Sequence, residues 1–168
     1  MANLYVFAAS IAFDGPPVER NSCCSVDNVG MPGLLLIAHA PLASALKAVA
    51  EHTFPNCALN LETLDVTPDM SADAVEAQAR ALLGASSHSE WLVLTDVLGA
   101  TPSNAAQRLL GPGSQVQVLN GVNVPMLWRS LCYVQQPLDA LAQLAAQGGV
   151  KGILPCEQPH TNPQPSET

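Results

Sequence analysis

The sequence predicts an α/β protein: a doubly wound, mostly parallel central sheet with helices on both faces. Three observations carry this. Short continuous apolar runs, Gly33–Ala38 and Trp91–Thr95 above all, are typical of parallel strands buried on both faces. Between such runs come segments of about 10–15 residues with apolar positions at helical spacing, the alternation that βαβ units require. Finally, 48% of the 168 residues are hydrophobic but only 4% aromatic, so one domain of ordinary size can build a core from Ala, Leu and Val.

The elements follow in order. After the first strand, Pro41 to Phe54 places Leu42, Ala45, Leu46, Val49 and Ala50 on one helical face, with Pro41 in the first turn, where its missing N–H costs nothing. Ala58–Val66 reads as a second strand. Ser71 is the expected N-cap of a helix running to about Leu83, with Asp73 and Glu76 in its early turns and Gly84 as its stop. Trp91–Thr95 is the third strand. A turn containing Gly99 then leads into a helix through Leu110, with Thr101 as cap and Pro102 at the first helical position. Val116–Leu119 is a fourth strand, Asn120-Gly121 a turn, and Pro125 opens another helix. Pro137 starts the last helix, Leu138–Gln147, which Gly148-Gly149 is expected to close before a short final strand, Val150–Leu154.

This pattern fills residues 31–154, the expected domain. Residues 1–30 lack periodicity and hold Gly15-Pro16-Pro17 and a polar stretch from Asn21 to Asn28, so they read as a disordered N-terminal extension. Met31, immediately before the first strand, is a candidate natural start, which would leave 1–30 as an upstream extension. Residues 155–168 hold four prolines and read as a disordered tail. No Lys or Arg stands near the start, where a secretion signal needs positive charge, and no apolar run approaches the roughly 20 residues of a membrane span. The five cysteines include no C-x-x-C pair, which fits reduced thiols in a cytoplasmic protein and no metal site.

Six Lys+Arg against fourteen Asp+Glu give a net charge of -8. Such a surface repels phosphate backbones and anionic lipid, so nucleic acid and membrane surfaces are poor candidates as partners. Residues 31–155 carry five basic and nine acidic side chains, so half of the excess lies in the flanks.

In a doubly wound sheet, ligands sit beyond the carboxyl ends of the strands. His39-Ala40, Asp96-Val97 and Asn120 to Asn123 occupy those ends. His39 also precedes a helix whose free N–H groups favour an anion. A carboxylate at Asp96 could accept the N–H of one ring nitrogen and leave the other lone pair as a nucleophile. Gly99-Ala100-Thr101-Pro102 brings a second helix N-terminus to the same rim. His52, His88 and His160 read as solvated surface residues.

These residues carry a resemblance. Ile37-Ala38-His39, then Thr95-Asp96 with Gly99 to Ala106, then Gly121 to Leu127, with Gly149-Val150-Lys151 near the end, resemble the enzyme IIA component of the mannose family of the bacterial phosphoenolpyruvate-dependent sugar phosphotransferase system. The match spans about residues 33–154. It implies that His39 takes a phosphoryl group from phosphorylated HPr and passes it to a IIB protein. It also implies that Asp96 orients His39, and that Thr101, where the family has a serine, stabilises the phosphoryl group. It implies a homodimer in which Val150–Leu154 joins the partner's sheet, a soluble carrier peripheral to a membrane permease, and no metal or organic cofactor. Ala40-Pro41 and Ala100 stand where the family has glycines, which bears on the loop a IIB partner would meet. With no IIB domain after it, the chain is expected to be a stand-alone IIA. Three alternatives are a phosphorylation-state sensor read by a regulatory partner, a phosphoryl donor to a dihydroxyacetone kinase, and a flavodoxin-like binding module without catalysis.

Overall fold

A computed structural model describes residues 30–58 and 61–155. The expected extension, apart from Gly30, and the expected tail, apart from Pro155, lie outside the described residues. The described chain runs β1 (Gly33–His39), α1 (Leu42–Thr53), β2 (Leu61–Val66), α2 (Ala72–Ala85), β3 (Trp91–Thr95), α3 (Thr101–Gln107), β4 (Val116–Asn120), α4 (Val124–Cys132) and α5 (Leu138–Lys151). The four strands form one all-parallel sheet in the order β2-β1-β3-β4. The chain steps outward from β1 to β2, crosses to β3 on the other side of β1, and continues to β4. The order therefore reverses between β1 and β3, which makes the gap at their carboxyl ends the switch point.

Strand side chains alternate between two cores. Leu34, Leu36, Ala38, Leu92 and Leu94 face α1, α4 and α5, meeting Ala43, Leu46, Leu127, Leu131 and Leu141. Leu35, Ile37, Trp91 and Val93 face α2 and α3, meeting Val75, Ala79, Ala105 and Ala106. Both faces are covered, which explains why β1 and β3 are continuously apolar rather than alternating. Ser71 caps α2 as expected, its side chain accepting the Ala74 N–H at 3.2 Å. Asn123 caps α4 by accepting the Met126 N–H at 2.9 Å, while its amide donates to the Gly149 carbonyl at 3.1 Å and ties α4 to α5.

Several expected details are corrected. Gly148-Gly149 does not end the last helix, which continues to Lys151, and Val150 and Lys151 are helical rather than the start of a strand. The reason is packing. A Cβ on Gly148 would lie 2.8 Å from Arg129 Cβ, and one on Gly149 would lie 2.9 Å from Met126 Cε. These glycines let α5 approach α4 closely, and that contact outweighs their low helix propensity. Residues 152–155 carry no regular structure, so no strand forms at 150–154 within the described chain. Gly84 likewise lies inside α2 instead of stopping it. The cap of α3 is Ala100, with Thr101 already helical.

His88 is not a free surface residue. Its Nδ1 lies 2.9 Å from the Met31 carbonyl and its ring meets Trp91 edge-on, so it holds the lead-in to β1 against the sheet. His52 is exposed, and His160 lies outside the described residues. Cys132 is a thiol, but Cys57 is disulfide-bonded, which corrects the expectation that every cysteine is reduced. No helix among the described residues is long and apolar enough to cross a membrane.

Candidate functional site

The site forms where β1 and β3 end side by side. The parallel register pairs Ile37 with Thr95, so His39 and Asp96 emerge at neighbouring positions from adjacent strands. Asp96 is buried, whereas the His39 side chain is 52% exposed. The His39 ring Nδ1 lies 2.6 Å from Asp96 Oδ2, and the same oxygen accepts the His39 backbone N–H at 2.8 Å. The other oxygen, Oδ1, accepts the Val97 N–H at 2.7 Å.

The chemistry of the pair follows from the inventory of donors. An ionised carboxylate only accepts, so Nδ1 must carry the proton, and Nε2 is left with a lone pair. Burial works to raise the Asp96 carboxyl. The His39 backbone N–H, its ring and the Val97 N–H outweigh that effect and hold the carboxyl below its usual range. Asp96 is therefore ionised at neutral pH. The result is a half-exposed imidazole of fixed tautomer, backed by a buried charge.

The surrounding loops are braced. The Gly121 N–H donates to the Asp96 carbonyl at 2.6 Å and the Val122 N–H to the Thr95 carbonyl at 2.9 Å, which fastens the turn after β4 to the end of β3. Thr95 Oγ1 donates to Asn120 Oδ1 at 2.7 Å. Between Asp96 and α3 the chain makes a tight turn through Gly99, whose φ of +85° suits a residue without Cβ. The Asn104 amide donates to the Gly99 carbonyl at 2.9 Å and steadies that turn. Thr101 is the half-buried first residue of α3, and Val97 and Leu98 are exposed beside Asp96.

One sequence expectation changes here. The N-terminus of α1 does not offer all of its N–H groups to an anion at His39. Asp65, on β2, already accepts the N–H groups of Ala43 at 3.0 Å and Ser44 at 3.2 Å through Oδ1. Sequence reasoning missed Asp65 because it sits on a different element, β2, 22 residues from the Ala43 N–H that it accepts. Asn120 and Asn123, expected at the rim, are occupied in bracing the fold. Among the described residues no group of three or more His, Cys, Asp or Glu side chains is arranged to hold a metal ion.

The fold and site together define an α/β protein with an all-parallel sheet and a carboxylate-held imidazole at its switch point. Comparison with known proteins narrows this. The chain belongs to the EIIA-man family, described as the PTS system fructose IIA component, whose model matches residues 33–145. It is thus a component of the phosphotransferase system. Among solved structures, it resembles a mannose/sorbose specific IIA subunit of the phosphotransferase system from Enterococcus faecalis, with TM-score 0.70 and 24% identity over 77% of this chain and 97% of that one. It resembles phosphotransferase system component EIIA from Streptococcus agalactiae with TM-score 0.68 and 22% identity, over 74% of this chain and 97% of that one. The PTS IIA protein associated with the fucose utilization operon from Streptococcus pneumoniae gives TM-score 0.61 and 24% identity, over 75% of this chain and 93% of that one. At these identities the likeness is one of fold. A search of curated proteins found no match.

Proposed function

We propose that this protein is a phosphocarrier of the phosphoenolpyruvate-dependent sugar phosphotransferase system, with His39 as its phosphorylated residue. The observation that carries this reading is the 2.6 Å contact between His39 Nδ1 and the buried Asp96 carboxylate, which leaves Nε2 with its lone pair on a half-exposed ring. In the forward step Nε2 attacks the phosphorus of the phosphohistidine of HPr in line. The Nε2–P bond forms as the donor's N–P bond breaks, and the electron pair of that bond returns to the donor imidazole. The His39 ring becomes formally cationic, and the Asp96 carboxylate at Nδ1–H balances that charge. Transfer onward to a IIB protein reverses the events at Nε2.

Such a transfer asks for positioning and charge balance rather than covalent help from the protein. We assign Thr101 to the phosphoryl oxygens, through its hydroxyl at the start of α3. The transfer is tested by incubating the protein with phosphoenolpyruvate, enzyme I and HPr and measuring acid-labile phosphate. Label on the wild type and none on His39→Ala is the expected result; equal labelling of both would overturn the assignment.

The proposal includes a homodimer. Val150, Ile153 and Leu154 are about three-quarters exposed, and β4 is an edge strand of the sheet, so an apolar segment and an open strand edge stand available together. Light scattering on the full chain should give twice the chain mass, falling to the monomer on Ile153→Asp with Leu154→Asp. A wild-type monomer would refute the dimer.

A further inference from the structure

The segment between His39 and α1 has no cap of its own. Pro41 occupies the N-cap position and makes no side-chain hydrogen bond to the helix. The helix start is instead held by β2. Ala40 donates its N–H to the Val66 carbonyl at 3.0 Å, and Asp65 Oδ1 takes the N–H groups of Ala43 and Ser44. The Pro41 carbonyl is closed off by the Ala45 N–H at 2.9 Å and by Ser44 Oγ at 3.0 Å. Every backbone anchor from Ala40 to Ser44 therefore leads to the last two residues of β2 or to the helix itself. On its other side, Asp96 holds His39 through both the backbone N–H and the ring.

We infer that Asp65 is a positioning residue for His39: its carboxylate clamps the first turn of α1 and thereby sets the backbone from which the imidazole reaches Asp96. The inference rests on the phosphocarrier reading only for its kinetic consequence. A carboxylate at a helix N-terminus is favoured electrostatically as well as by hydrogen bonding. Its reach across from a neighbouring strand couples the sheet to the helix at the residue that matters. Register places Asp65 opposite Ala38, one residue before the histidine, so the clamp and the nucleophile share the same end of the sheet. Without it, Ala43 and Ser44 would seek water and the turn would loosen, letting the ring drift from Asp96.

The test uses the full chain and two readouts. Nitrogen-15 spectra of the His39 ring report its tautomer whether or not the protein carries phosphate. Labelling through enzyme I and HPr reports transfer. Asp65→Ala should convert a single Nδ1–H tautomer into a mixture and slow labelling by about tenfold to a hundredfold, the range that a small misplacement of a reacting group produces. Asp65→Asn, whose amide oxygen can still accept both N–H groups, should restore both readouts. Should Asp65→Ala fail to fold, Asp65→Glu, with the same charge on a longer arm, should disturb the ring in the same direction. A wild-type ring spectrum in Asp65→Ala would overturn the inference, as would an Asn variant as impaired as the Ala variant. If the wild type takes no label, the phosphocarrier reading fails while the ring spectra still decide the role of Asp65.

Discussion

Asp96→Asn is expected to slow phosphoryl transfer by about a hundredfold or more while leaving the fold intact. The size is that of losing a correctly poised acid–base partner. The carboxylate offers two acceptor oxygens to three N–H donors: the His39 backbone, the His39 ring and Val97. An asparagine offers one oxygen and one NH2 group. If the oxygen keeps the Val97 N–H, the NH2 group faces Nδ1 and forces it to accept. The proton then moves to Nε2, where the lone pair was needed. If the amide turns over, Val97 N–H loses its partner instead. Transfer kinetics with saturating phospho-HPr and a far-UV circular dichroism spectrum separate these effects from unfolding. Wild-type kinetics would remove Asp96 from the mechanism. The same variant should also lose less stability in acid. Because the native carboxyl lies below its ordinary value of 3.8, its contribution is present above that value and disappears as pH falls through the depressed one. Urea midpoints measured from about pH 5 to about pH 3 should therefore fall less steeply in the asparagine variant.

Gly148→Val should destabilise the domain by about 1–3 kcal/mol, the usual cost of forcing bulk into a filled core. The added Cβ would meet the Arg129 Cβ at 2.8 Å and the Pro125 carbonyl at 3.3 Å, and neither of these atoms is the far end of a flexible side chain. Gly84→Ala provides the contrast. That glycine also lies within a helix, but nothing stands within 4 Å of where its Cβ would be. It should gain about 0.5–1 kcal/mol from the lower backbone freedom of the unfolded chain. Urea denaturation of both variants is the measurement, and a loss of equal size at the two positions would contradict the packing argument.

Gly84 and Gly148, both expected to stop a helix and both found inside one, mark the limit of what was legible in the sequence. Trp91–Thr95 matched its strand residue for residue because a run buried on both faces leaves a continuous apolar signature. Ser71 was legible because capping is local. The pairing of His39 with Asp96 followed from the rule that strand ends converge at the switch point, although the two residues are 57 apart in the chain. Gly148 and Gly149 were misread because a glycine pair signals a helix stop locally, while here a neighbouring helix demands them. Asp65 and His88 escaped for a related reason. Each serves a backbone group distant in sequence, and nothing in the adjacent residues announces the partner.

The double hold of Asp96 on His39 has a kinetic meaning. A side chain on a surface normally samples several rotamers, and aligning it costs entropy at each encounter with a partner. Here one carboxylate oxygen binds both the ring and the backbone N–H of the same residue, so the torsions between them are restricted before any partner arrives. The freedom of the imidazole is surrendered once, during folding. In the proposed phosphocarrier, each partner would then meet a lone pair already aimed, and the speed of exchange would be left to docking.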